Sequence, residues 1–176
     1  MSVAVTVAMW RDLEPVASWV LQSPSGLAGW ALMLLLFTLL HGGAMHLMFN
    51  LFWVWTWGPH FERRYSPSGA AALMVVLALG SALPQWVFDG PGIGLSGVVY
   101  GWAGFLFMRD RGRSIQLLKP SDARMFIGWF FFCIVATELG WMNIANIAHG
   151  AGAVFGAALG AGARAFEDRV GQTPSA

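Results

Sequence analysis

Four polar side chains sit inside long apolar stretches of this chain: His46, Asn50, Ser96 and His149. Burying a polar group among apolar ones costs free energy, so each needs a use. A serine beside a histidine can act as a nucleophile, the imidazole taking the hydroxyl proton as oxygen attacks a carbonyl. A histidine and an asparagine on one helix face can donate hydrogen bonds to the oxyanion that forms. His46 and Asn50 are four residues apart and therefore share a face. Singly, each has a plain structural use: serines in membrane helices bond their own backbone, and His or Asn bridge helices. Their agreement with one another is what points to acyl transfer.

Depth is one agreement. Asn50 lies twelve residues from Glu62, Ser96 thirteen from Arg109 and His149 fifteen from Arg164. Helix rise makes these about 18, 20 and 22 Å. In a hydrocarbon core of about 30 Å, all three then fall roughly 8–12 Å below the opposite surface. Glycine placement is another. Gly97 and Gly101 are four apart behind Gly94, and Gly152, Gly156 and Gly160 repeat the spacing on the helix expected to begin near His149. Small residues at that interval let two helices approach closely in lipid, which would bring Ser96 and His149 within hydrogen-bond reach. His41 is five residues before His46, about 140° round a helix, and is expected off the His46–Asn50 face. A metal site is the rival use of His41, His46 and His149. No carboxylate or cysteine inside the apolar runs completes one and the spacing is not H-E-x-x-H, so neither metal nor cofactor is expected.

The elements that must hold these residues follow from composition. The chain has 176 residues, 57% hydrophobic and 11% charged, with net charge +1. So few charges cannot coat a soluble domain, which places the chain in a lipid bilayer, and the balanced charge excludes a nucleic-acid binder driven by phosphate contacts. Cys133, the single cysteine, rules out an internal disulfide. Apolar runs cover Leu27–Trp57, Ala70–Phe88, Gly92–Met108, Met125–Thr137 and Ile144–Ala163. The first is too long for one span and is interrupted at His41-Gly-Gly, giving an interfacial segment over Leu27–Leu40 and a spanning helix from about Gly43.

Nine of the ten basic residues fall in alternate loops or after the last run, as the positive-inside rule requires of a cytoplasmic face. The expected fold is thus all-α: a polytopic membrane helix bundle with five transmembrane helices and a possible short or truncated first one within Val3–Val20. Residues 1–165 form one domain and 166–176 a polar, disordered C-terminal tail. With no basic region ahead of an early apolar stretch, no cleavable signal peptide is expected. The site opens to the outer face of a multi-pass cell-membrane protein, the inner membrane if the source is bacterial.

Three stretches then resemble a known family: His41-Gly-Gly-Ala-Met-His46-Leu-Met-Phe-Asn50, Gly94-Leu-Ser96-Gly97, and Ala148-His149-Gly-Ala-Gly152-Ala-Val-Phe-Gly156. They match HxxxxHxxxN, GxSG and AHxxGxxxG, in order, of the rhomboid intramembrane serine proteases. The resemblance implies Ser96 as nucleophile and His149 as general base. It implies an oxyanion hole from His46, Asn50 and the Ser96 backbone N–H, with Tyr100 packed on the catalytic histidine. Glu62-Arg63-Arg64 stands where the family often closes the inner end of its second helix with an acidic-basic cluster. Leu32-Met33 stands where the family has a Trp-Arg pair.

The implied activity is endoproteolysis in or near transmembrane segments of membrane-protein substrates, through a Ser-His dyad and an acyl-enzyme. A mobile cap is expected at Glu138–Ile144, with Phe131 and Phe132 near a lateral gate. Alternatives are a non-catalytic rhomboid-like binding factor, or a rhombosortase-type enzyme trimming C-terminal anchors. A small transporter or channel would need polar residues along the whole bilayer path, and the inner halves of the spans have none.

Overall fold

The computed structural model describes residues 3–4, 6–7 and 24–171. Apart from residues 3–4 and 6–7, the segment considered above as a first helix lies outside the described residues. Among the described residues the chain is all-helical and has no strand: α1 (Gly26–Leu39), α2 (Ala44–Asp89), α3 (Ser96–Arg109), α4 (Pro120–Glu138) and α5 (Asn146–Arg169).

Helix α2 is 46 residues long but is two arms. Ser66 has φ 65° and ψ 162°, which breaks the helical path. The sequence Ser66-Pro67-Ser68-Gly69 explains the break. A residue before proline is pushed out of the helical region, and Pro at a first helical position starts a new helix. The Ser66 hydroxyl then accepts the Gly69 N–H at 3.3 Å, an N-cap for the second arm. The arms run in opposite directions along α3. In the first, His46 lies at Gly94 and Phe61 stacks on Trp102; in the second, Ser81 lies at Gly97 and Leu77 at Gly101. Arms over 44–65 and 67–89 are each about 33 Å long at helical rise, the thickness of a bilayer core. Among the described residues α2 is the one helix both long and apolar enough to cross a membrane; α1 is apolar but only 14 residues.

Positions 46, 50, 53, 57 and 61 form one stripe down the first arm. Its upper residues are polar. Its lower ones, Trp53, Trp57 and Phe61, are buried against Phe126 of α4 and Trp102 of α3, with ring centroids 5.0, 5.6 and 4.7 Å apart. Helix α1 packs a smaller core on the second arm, where Trp30 and Phe37 both meet Trp86.

The tightest seam joins α3 to α5, and it is built from glycine. A Cβ on Gly152, Gly156 or Gly160 would run into the carbonyl of Gly97, Gly101 or Phe105, and one on Gly104 into that of Ala153. Backbone meets backbone with no side chain between, at every fourth residue. By contrast α4 buries only Phe126, Cys133 and Ala136 and leaves most of its side chains exposed.

Candidate active site

Ser96 is the first residue of α3, and His149 lies in the first turn of α5. Gly94 sets up the serine. Its φ of +109° is open to glycine and strained for other residues, and a Cβ there would lie 2.6 Å from His46 Nε2. The chain can therefore turn into α3 with the His46 ring pressed on the backbone two residues before Ser96.

The glycine seam brings the two helix ends together. His149 Nε2 lies 2.8 Å from Ser96 Oγ. The imidazole is buried, and Tyr100, one turn below Ser96, stacks on it at 4.6 Å with the planes 21° apart. Tyr100 is itself held by its hydroxyl, which donates to the Phe126 carbonyl at 3.2 Å. For Ser96 Oγ to donate to Nε2, the ring proton must sit on Nδ1. That atom is buried and, among the described residues, has no hydrogen-bond partner. Among the described residues no carboxylate orients this ring; stacking on Tyr100 and the seam at Gly152 do so.

Asn50 is fully buried, one turn below His46. Its Nδ2 donates to the His46 carbonyl at 3.0 Å, which leaves a second amide hydrogen, and among the described residues its Oδ1 has no partner. His41 is not on that helix at all. The break after Leu39 frees it, so the angular argument from helical spacing does not apply. Its Nε2 accepts the Leu95 N–H at 3.3 Å, immediately before Ser96, and its ring meets that of His46 at 5.0 Å. Thr6 Oγ1 lies 3.3 Å from its Nδ1. Among the described residues no group of three or more His, Cys, Asp or Glu is placed to hold a metal ion.

A small open crevice borders Ser96, lined also by Thr38, Ser81, Gln85 and the 92–94 loop. Gln85 Oε1 accepts the Ala148 N–H at 3.1 Å, beside His149, and its Nε2 donates to Asp89 at 2.9 Å. Ser81 and Gln85 are absent from the residues picked out by sequence. They were open to the same test, being polar, four apart and within an apolar run. At the expected gate, Phe131 and Phe132 are exposed, and Trp129 stacks on Phe49 of the first arm at 5.7 Å, closing the seam between α4 and α2.

The opposite ends of the same helices carry the charges. Helix α5 continues past Ala165 to Arg169, so the expected tail begins as helix, and Glu167 is 3% exposed. Its Oε1 accepts Arg64 Nε at 3.2 Å, Arg109 Nε at 3.3 Å and the Tyr65 hydroxyl at 3.4 Å; its Oε2 accepts Arg113 Nη1 at 2.6 Å. Burial opposes ionisation, but the hydrogen bonds from Arg113 and Arg64 and the charge of Arg109 outweigh it. They hold this carboxyl below its ordinary range. The acid of the expected inner cluster is therefore Glu167. Glu62 is exposed, and Arg63 lies on His60.

A family model described as Rhomboid domain matches residues 28–166. The chain belongs to the rhomboid family. Rhomboid protease GlpG of Salmonella choleraesuis is 35% identical over 129 residues, covering 68% of this chain and 44% of that protein. The protein of the same name from Klebsiella pneumoniae subsp. pneumoniae is 36% identical over the same shares. The chain thus spans less than half the length of these relatives. Every residue of the three rhomboid motifs lies inside the matched segment, and Glu167 lies one residue beyond it.

Proposed function

We propose that this rhomboid chain is a serine endopeptidase that cleaves membrane proteins in or near their transmembrane segments. The observation that carries the proposal is the 2.8 Å approach of His149 Nε2 to Ser96 Oγ at the joined ends of α3 and α5. Ser96 Oγ adds to the scissile carbonyl while His149 Nε2 takes its proton. The oxyanion is met by the Ser96 backbone N–H, which as the first of its helix has no intrahelical acceptor, and by His46 and Asn50. The C–N bond breaks as His149 returns the proton to the leaving amine. Water from the outer crevice then adds to the acyl-enzyme, again giving its proton to His149, and Ser96 departs as the alcohol. The imidazolium formed in each half-reaction faces the Tyr100 ring, a cation–π contact standing where a triad has its carboxylate.

The reading includes five spans, formed by the two arms of α2 and by α3, α4 and α5, in a multi-pass membrane protein. Helix α3 has 14 residues, about 21 Å, so its N-terminus and Ser96 lie below the outer surface of a bilayer of about 30 Å. Non-helical backbone at residues 92–94 is tolerable there because it lines the open crevice beside Ser96. The inner ends carry the arginines.

Labelling with a fluorophosphonate probe in detergent tests the chemistry. The wild type is expected to be labelled at Ser96, and Ser96→Ala to be silent. A folded wild type that stays unlabelled would leave a non-catalytic client-binding role in place of the protease.

A further inference from the structure

Resting on that reading, we propose that Glu167 is a positioning residue for the dyad: its inner-face ion cluster fixes the register between α3 and α5 that sets the distance from Ser96 to His149. The seam between these helices is backbone against glycine along most of its length, at Gly97–Gly152, Gly101–Gly156 and Phe105–Gly160. With no side chain of one helix seated in the other along this line, the seam resists approach more than it resists sliding along the axis. Register must be set at the ends. At the outer end the joint is the stack of His149 on Tyr100 and one hydrogen bond, from Ser96 to His149, and that bond is the one the reaction breaks and remakes.

At the inner end the joint is far heavier. Glu167 of α5 holds Arg109 at the last turn of α3 and Arg113 four residues on. It also holds Arg64 and Tyr65, at the end of the first arm that carries His46 and Asn50 at its other end. One carboxylate therefore ties together the inner ends of all three helices whose outer ends carry the proposed chemistry. Asp110 reinforces the node, accepting Arg109 Nη1 at 2.7 Å and the Leu117 N–H at 3.3 Å. A helix is stiff along its axis, so an axial slip at Glu167 reappears undiminished at His149, about 27 Å away. A misplacement of about 1 Å in a reacting pair costs on the order of 10²-fold in rate.

The test is the time course of fluorophosphonate labelling in Glu167→Gln, which keeps the shape and removes the charge, beside wild type and Ser96→Ala. A mispositioned dyad labels to full amplitude with a rate constant at least about 10-fold lower. In cleavage of a single-span substrate, kcat should fall by a similar factor at unchanged KM. A role in folding alone gives lower amplitude at the wild-type rate constant and would overturn the proposal. So would an equal slowing in Glu62→Ala, which removes an exposed acid at the same end of the helices but outside the cluster. If Glu167→Gln does not fold, Glu167→Asp, which keeps the charge and shortens the reach, is read by the same criteria. An unlabelled wild type sinks the protease reading; a labelled wild type with normal rate constants in the Glu167 variants sinks only this one.

Discussion

The two ends of the α3–α5 pair are made from the same helices and solve opposite problems. At the outer end Ser96, His149, His46 and Asn50 include no carboxylate or guanidinium, and among the described residues three buried atoms there, His149 Nδ1, Asn50 Oδ1 and Asn146 Oδ1, have no hydrogen-bond partner. At the inner end the groups are charged, and the buried carboxylate of Glu167 accepts from four side chains. An orphaned buried polar atom costs about 1–3 kcal/mol, so a fold tolerates it where something else depends on it. A satisfied hub can hold geometry but has nothing left to give a reactant. On the proposed reading the outer end is unfinished in a way that substrate would complete, and the inner end is already complete.

The sharpest way to break this contrast is to remove the outer pair. Ser96→Ala and His149→Ala should each lower cleavage of a single-span substrate by on the order of 10³-fold or more, with helix content unchanged by circular dichroism. Either variant retaining activity near wild type would remove the dyad. Next in size is Asn50→Ala. Loss of one oxyanion donor costs on the order of 10²-fold in kcat, and KM should hold because the bond is made only to the developing charge. An effect on KM alone would return Asn50 to a structural role.

The seam between the two ends gives a smaller effect, read in stability. Gly156→Ala drives a methyl into the Gly101 carbonyl. It should cost about 1–3 kcal/mol of unfolding free energy in micelles, with lower activity as the helices part. Gly162→Ala meets nothing within 4 Å and should be neutral or stabilising by up to about 1 kcal/mol through helix propensity. Equal effects at the two glycines would mean that the seam is not what holds the two helices in close contact.

How much of this was legible in sequence differs between the ends for physical reasons. His46, Asn50, Ser96 and His149 stand out because a polar residue in an apolar run is conspicuous, and the four-residue glycine spacing exposes the seam. Ser81 and Gln85 satisfy the same test but sit in a run that otherwise reads as a plain span. His41 was placed by helical angle, yet it lies in the break before Ala44, where that angle has no meaning. Glu167 gave no signal. An acid in a polar tail reads as solvated, and its burial depends on arginines 103, 58 and 54 residues away in sequence. Local pattern reaches the proposed chemistry at the outer end; only the fold assembles the inner one.

The smallest expected effect follows from the charge on Glu167 and sharpens the comparison by pH. Its carboxyl is held below the ordinary value of 4.5, so the folded state binds its proton less readily than the unfolded chain does. Stability gained this way is fully present above that value and drains away as pH falls through and below it. Thermal midpoints should therefore decline more steeply on acidification in wild type than in Glu167→Gln. The difference should be a few degrees at most and be confined to the region below the ordinary glutamate range. Raising salt should change it little, because the carboxylate is buried and screening acts mainly on exposed charges. Two identical acid profiles would mean that the inner hub contributes shape without charge, and the contrast between a charged, satisfied end and a neutral, open one would lose its electrostatic half.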